Sequence, residues 1–324
     1  MHRLRQDRGR GPGCRAGRRG VRGTRAAART EVFSPHSLEA AVQLLAEVKE
    51  PVRILAGGTD LMVEVETGRS ELPGLVLDIS RIRDLRFVDE GDEGAIHIGP
   101  LVTFADVRRS ALLREKAPAL WQAAGLVGGE QIRNAATLGG NIMNASPAAD
   151  GIPPLLAAET HVVLTSSEGS RRIPLFSFFK GYRTTVAKPE ELLTEIVLQP
   201  LAEGAHAYFR KVAPRRAQAI SKVVFAGRIH VARDGAAAVL KTARLGIGAV
   251  APHALRLFET ERLLGAQVLT PRLIEDAVRT LRSEIAPIDD VRSTADYRRA
   301  VAGNMLRAFL MAGLTRSESG KAGF

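Results

Sequence analysis

Two stretches of the chain combine glycine with short polar side chains in a way that suits contact with phosphate oxygens. The first is Ile54-Leu55-Ala56-Gly57-Gly58-Thr59-Asp60-Leu61, an apolar strand running into a tight turn. Adjacent glycines let backbone N–H groups converge with no Cβ in the way, which is what a pyrophosphate oxygen needs. Thr59 adds a hydroxyl donor, and the helix expected after it adds the positive end of its dipole. Alone, this turn reads more readily as an ordinary bend or helix cap. The second stretch shifts that balance: Gln131-Ile132-Arg133-Asn134-Ala135-Ala136-Thr137-Leu138-Gly139-Gly140-Asn141, followed by Ser146-Pro147-Ala148-Ala149-Asp150. Two such loops from separate subdomains could grip one diphosphate from both sides. Asp150 precedes an apolar run with Pro153-Pro154, where it can serve as a helix N-cap, as an acceptor for cofactor hydroxyls, or as both.

Other chemistries find little support. Neither loop has the G-x-G-x-x-G of a dinucleotide fold or the G-x-x-x-x-G-K-[ST] of a P-loop. The seven histidines (His2, His36, His97, His161, His206, His230, His253) lack metal-ligand spacing, so no metal site is expected. The single cysteine, Cys14, cannot hold an iron–sulfur cluster or form an internal disulfide. Nothing resembles a nucleophilic triad, a nucleophile elbow or a paired-carboxylate site, so no catalytic residue is singled out.

The elements that must position the loops follow from periodicity and punctuation. Ser37 can cap a helix whose apolar positions Leu38, Ala41, Val42 and Leu45 share one face, and Pro51 restarts the chain as a strand over 52–56. A helix over 60–66 and a strand over 75–79 should follow. Next come a strand over 95–99, a helix entering at Thr103, and a longer helix over 118–126 carrying Trp121. The segment 128–154 reads as loop-rich, leading into a helical 155–159. Strands over 161–165, 171–175 and 192–198 suggest an antiparallel sheet. Beyond Pro200, strands over 206–212, 222–233 and 237–250 read as a three-stranded meander, and the rest is helical with breaks at Pro252, Gly265, Pro271 and Pro287. The expected organisation is therefore a tail over 1–30, an α+β domain over 31–200, a smaller strand-then-helix domain over 201–316, and a fraying end over 317–324.

Charge is unevenly placed along the 324 residues. Of the net +11, nine come from residues 1–30, which hold ten arginines against the single acid Asp7. A nucleic-acid partner would rest on this Gly/Arg-rich segment alone, and it carries no aromatic side chain for stacking on bases. It reads instead as a disordered tail or as residues ahead of the true start. With no continuous apolar stretch of roughly 20 residues no membrane span is expected, and with no apolar h-region in the N-terminal segment no Sec signal; an Arg-rich N-terminus can mimic a transit or twin-arginine leader, and the cytoplasm is the default location.

The motifs in combination resemble the FAD-binding subunits of the xanthine dehydrogenase and carbon monoxide dehydrogenase family of molybdenum hydroxylases. The resemblance rests on 56–61, on Gln131-Ile132-Arg133-Asn134 with Thr137-Leu138-Gly139-Gly140-Asn141, and on Ser146-Pro147 with Asp150. It continues through Phe178-Phe179-Lys180-Gly181-Tyr182-Arg183, Pro189-Glu190-Glu191-Leu192-Leu193, Lys211 with Arg215-Arg216 and Ile220-Ser221-Lys222, and Pro287-Ile288-Asp289-Asp290-Val291-Arg292, covering essentially 31–315. It implies a PCMH-type, vanillyl-alcohol-oxidase-like FAD domain of two α/β subdomains, followed by a C-terminal three-stranded sheet with helices. It also implies that 54–61 and 137–141 surround the diphosphate and adjoining sugar of non-covalent FAD, with further contacts at Val127, Asp150, Leu193 and Lys211. Read as residues only, Val127 and Leu193 equally suit a core, and Lys211 a solvated strand edge.

The resemblance further implies partners: a large molybdopterin-binding subunit and a small [2Fe-2S] subunit, assembled as a dimer of heterotrimers, with electrons leaving to NAD or another acceptor. Two departures stand out. Ala217-Gln218-Ala219 replaces an acidic run that the animal enzymes carry, and the cysteines that give some relatives an extra cluster are missing. A free-standing flavin oxidase on the same fold is the alternative, and it would need acid/base groups beside the flavin.

Overall fold

A computed structural model describes residues 30–234 and 237–319. The Arg-rich segment lies outside the described residues except for Thr30, whose hydroxyl donates to Pro73 O. At the other end the last helix continues to Ser319, two residues past the expected start of fraying.

The fold is mixed α+β. Strands Glu31–Phe33, Val52–Leu55 and Leu75–Asp78 form a parallel sheet with the third in the middle. Parallel strands need a crossover, and helix Leu38–Glu47 supplies the one between the two outer strands. Ser37 caps it, its hydroxyl accepting from Ala40 N, and Ala41, Val42 and Leu45 pack with Leu77 and Ile79. The second subdomain is a five-stranded antiparallel sheet whose central strand, Leu192–Leu198, is buried along nearly its whole length. Val162, Leu164 and Ile196 from this sheet join Phe104, Leu120, Leu138, Ile142 and Leu155 from the covering helices in the largest core.

The C-terminal part begins with the meander of strands Ala205–Val212, Val223–Asp234 and Ala237–Gly248. Two short strands, Leu255–Arg256 and Gln267–Val268, also pair with the last of these, so the expected three-stranded sheet has five strands. Their brevity leaves no alternation to read in the sequence. Helices Phe258–Leu264, Pro271–Glu284 and Ala295–Ser319 cover it, burying Ile274, Leu281, Leu306 and Phe309 against Phe225 and Leu245.

The seam between the two halves is tight. Gly246 lies so close to helix Ile152–Ala157 that a Cβ there would stand 2.2 Å from Pro153 O. Across the same seam, Arg228 donates to Gln199 O at 2.6 Å and Pro200 O at 3.2 Å. Burial pushes the Arg228 pKa down to about 10, a sign of how little water reaches it.

Candidate functional site

The two glycine loops meet. Gly57 rests on the backbone of the second loop: a Cβ there would fall 1.9 Å from Ala135 O, so only glycine permits this approach. Gly58 turns the chain with φ +68°, in the left-handed region, and Asp60 returns to right-handed helical geometry ahead of helix Leu61–Glu66. The amides of Gly58, Thr59 and Asp60 find no acceptor among the described residues. Successive N–H groups left unpaired at an inverted turn make an anion-binding concavity.

A polar chain locks this arrangement. Asn144 Nδ2 donates to Asp60 Oδ2 at 2.6 Å, Arg183 donates to Asn144 Oδ1 at 3.2 Å and also pairs with Glu64, and Arg53 reaches Glu64 at 3.3 Å. Asn144 lies 84 positions from Asp60 and no local pattern announced it; Arg183, a further 39 on, stood in the 178–183 motif of the resemblance but was not assigned to the site.

The second loop contains two short helices, Glu130–Ala135 and Leu138–Met143, where the sequence had suggested only loop. Each spans six residues, too few to show a 3.6-residue period. Thr137 caps the second, its Oγ1 accepting from Gly140 N at 3.0 Å. Gly139 N donates to Pro100 O at 2.9 Å, Leu138 N to Val102 O at 2.9 Å, and Phe104 N to Ala136 O at 3.0 Å, stitching the loop to residues 100–104. Gly140, in contrast, faces outward, where a Cβ would meet only Thr137 Oγ1. The buried Oδ1 of Asn141 has no hydrogen-bond partner among the described residues, a costly state that a ligand donor would relieve.

The remaining expected residues divide into two groups. Asp150 and Lys211 come together: Lys211 Nζ donates to Asp150 Oδ2 at 2.6 Å and to Leu126 O at 2.9 Å, while Ser221 Oγ donates to Asp150 Oδ1 at 2.5 Å. The Lys211 side chain is only 7% exposed, so it is no solvated edge charge. Nor is Asp150 a cap, because Gly151 occupies that position of helix Ile152–Ala157. Burial pushes the Asp150 carboxyl above the usual carboxylate range, against the pull of Lys211 and Ser221. Ser221, quoted in the 220–222 motif of the resemblance, was not foreseen as a partner of Asp150, from which 71 positions separate it.

Val127 and Leu193 form the second group, and both pack on the main core, Leu193 at 2% exposure. Val127 is half-buried, its carbonyl accepting from Arg133 Nη1 at 3.1 Å. Ile54, Leu55 and Ala56 lead half-buried into the turn, and Leu61 is buried beneath it. Among the described residues no His, Cys, Asp or Glu cluster could hold a metal ion, and no helix is long and apolar enough to cross a membrane.

A two-lobed α+β scaffold that brings two glycine loops together, with unpaired amides at 58–60, fits the class of proteins that hold a phosphate-bearing cofactor. Comparison with known proteins narrows the class. Residues 28–200 match the FAD binding domain in molybdopterin dehydrogenase, and 207–312 match the CO dehydrogenase flavoprotein C-terminal domain. The nicotinate dehydrogenase FAD-subunit of Eubacterium barkeri is 32% identical over 295 residues, covering 90% of this chain and 98% of that one. The carbon monoxide dehydrogenase medium chain of Hydrogenophaga pseudoflava is 30% identical over 288 residues, covering 89% and 98%. A solved carbon monoxide dehydrogenase structure from Hydrogenophaga pseudoflava superposes with a TM-score of 0.83 at 29% identity, over 89% of this chain and 98% of that one. The chain belongs to the FAD-binding flavoproteins of the molybdopterin dehydrogenase family, which includes the xanthine and carbon monoxide dehydrogenases, and is an oxidoreductase subunit with FAD as its cofactor.

Proposed function

We propose that this chain seats non-covalent FAD in the crevice between its first two subdomains and passes electrons from iron–sulfur clusters on a small partner to an external acceptor such as NAD. The assembly we infer adds a large molybdopterin-binding subunit, the whole forming a dimer of heterotrimers in the cytoplasm. Names of relatives, such as FAD-subunit and medium chain, support a role within a multi-subunit enzyme. In this reading 31–200 is the cofactor domain and 201–316 packs against it. When bound, FAD supplies the redox chemistry, and the protein supplies position and electrostatics.

The observation that carries the reading is the cradle: Gly57 seated on Ala135, unpaired amides at 58–60, and the open face of Gly140. Residues 54–61 and 137–141 would hold the diphosphate and adjoining sugar, with Asn141 Oδ1 accepting from the cofactor. The Asp150 and Lys211 pair would present polar atoms to its remainder, Val127 would flank it, and Leu193, being buried, would act through its backbone. Gly140→Val is the test: the added side chain would occupy the cradle, and because its Cβ would also press to 3.0 Å on the capping Thr137 Oγ1, folding is checked by circular dichroism on the same sample. The purified variant should stay folded and lose most of its bound flavin absorbance. Full flavin occupancy in that variant would overturn the assignment.

A further inference from the structure

Beside the Asp150 and Lys211 pair the surface opens into a cavity of about 410 Å3, formed where helix Phe104–Arg109, helix Pro118–Ala124 and strand Ala205–Val212 meet. Its wall carries Arg108, Arg210 and Lys211, with Gln122 and the Gly125-Leu126 turn, and it contains no carboxylate. Arg108 is held in advance. Its guanidinium carbon lies 3.3 Å from the Trp121 ring centroid, Nη1 donates to Trp121 O at 3.2 Å, and Trp121 Nε1 donates back to Arg108 O at 2.9 Å. Gly125 lies against the same group, a Cβ there falling 3.4 Å from Arg108 Cζ and Nε.

Charge is what this cavity lacks a partner for. Lys211 is already neutralised by Asp150, but neither Arg108 nor Arg210 forms an ion pair among the described residues. Partial burial, then the like charges of Arg133 and Arg114, lower the Arg108 pKa, with no acid opposing them. Arg108 keeps Nε and Nη2 without protein acceptors among the described residues, and those two atoms form the fork that matches two oxygens of one oxyanion.

We propose that this cavity is an oxyanion site that takes a phosphate or carboxylate group of a small ligand on the Nε and Nη2 fork of Arg108. Its contact with the FAD side runs through Lys211, which lines the cavity and whose ammonium donates to Asp150, and that link alone rests on the function proposed above. A free anion and the phosphate of a dinucleotide acceptor share this chemistry.

Trp121, the sole tryptophan, sits under Arg108 and gives a readout independent of turnover. The as-isolated protein is titrated with inorganic phosphate and, separately, with NAD, against sodium chloride at equal ionic strength, while Trp121 fluorescence is followed. A saturable change with phosphate but not chloride is expected, and Arg108→Gln should weaken it about tenfold or more, the scale of one charged hydrogen bond. Arg108→Lys should weaken it less. Gln122→Glu places an acid in the wall without touching the stack and should also remove the response, which keeps the test decisive if Arg108→Gln unfolds. A tighter response to NAD that phosphate competes away identifies a dinucleotide source; a response to phosphate alone identifies a free anion. Superposed phosphate and chloride traces, or an undiminished response in Gln122→Glu, overturn the proposal. Bound flavin is read by absorbance in the same samples: if Arg108→Gln or Gln122→Glu stays folded but loses FAD, the cavity is part of the cofactor site and the separate anion site falls. A loss of FAD in Gly140→Val bears only on the cofactor reading.

Discussion

Removing the ammonium of Lys211 should leave the Asp150 carboxylate stranded. Lys211 and Asp150 are 7% and 9% exposed in their side chains and meet at 2.6 Å, so Lys211→Met leaves a buried charge with only the Ser221 hydroxyl to answer it. Breaking such a pair from one side costs about 3–5 kcal/mol, while replacing both members costs far less. In thermal unfolding of flavin-stripped protein that cost corresponds to a fall on the order of 10 °C. The double variant D150N/K211M carries no buried charge and should recover at least half of the loss. The sign with pH follows from the raised Asp150 pKa: its ionisation opposes folding, and that opposition vanishes as acid protonates the folded carboxyl before the unfolded one at 3.8. With Lys211 gone the raise grows, so the deficit of K211M should be largest at neutral pH and shrink on acidification. Single-variant costs that simply add in the double variant, within about 0.5 kcal/mol, would refute the coupling.

Gly57→Ala should behave differently from Gly140→Val. Its Cβ collides with the Ala135 carbonyl, so the two loops must part, and the variant should lose about 1–3 kcal/mol of stability together with FAD, read by melting temperature and flavin absorbance. Arg171 donates to both oxygens of Glu191 at 2.5 and 2.8 Å and holds its carboxyl below the usual glutamate range. Its contribution is present above 4.5 and lost as pH falls through the folded value, so Arg171→Gln should lower the melting temperature at pH 7 and converge with the parent in acid.

The cradle was largely legible because its signal is local. Gly57-Gly58 and Gly139-Gly140 announce close backbone approach, and Ser37 and Thr103 announce helix starts that both form, Thr103 within a full capping box with Asp106. What could not be read was which backbone each glycine approaches: Gly57 meets Ala135 and Gly139 meets Pro100, contacts that only tertiary packing decides. Asp150 shows the limit most clearly. Its position before an apolar run suggested a cap, and its actual partners, Lys211 and Ser221, lie in the other half of the molecule. Edge strands such as Glu31–Phe33 and Val88–Glu90 escaped because three residues carry no usable alternation.

The glycine-thin seam at Gly246 and the Arg228 clasp on Gln199 and Pro200 bear on how current would flow through the molecule in the role proposed above. Tunnelling falls off steeply with separation, so a carrier either swings its cargo toward each customer or keeps still and has customers built around it. With Arg228 sunk among carbonyls between the lobes, the seam is tied at that point. In the role proposed above, distances to donor and acceptor would then be set by whatever docks on its outside, which would cast the chain as a fixed relay post.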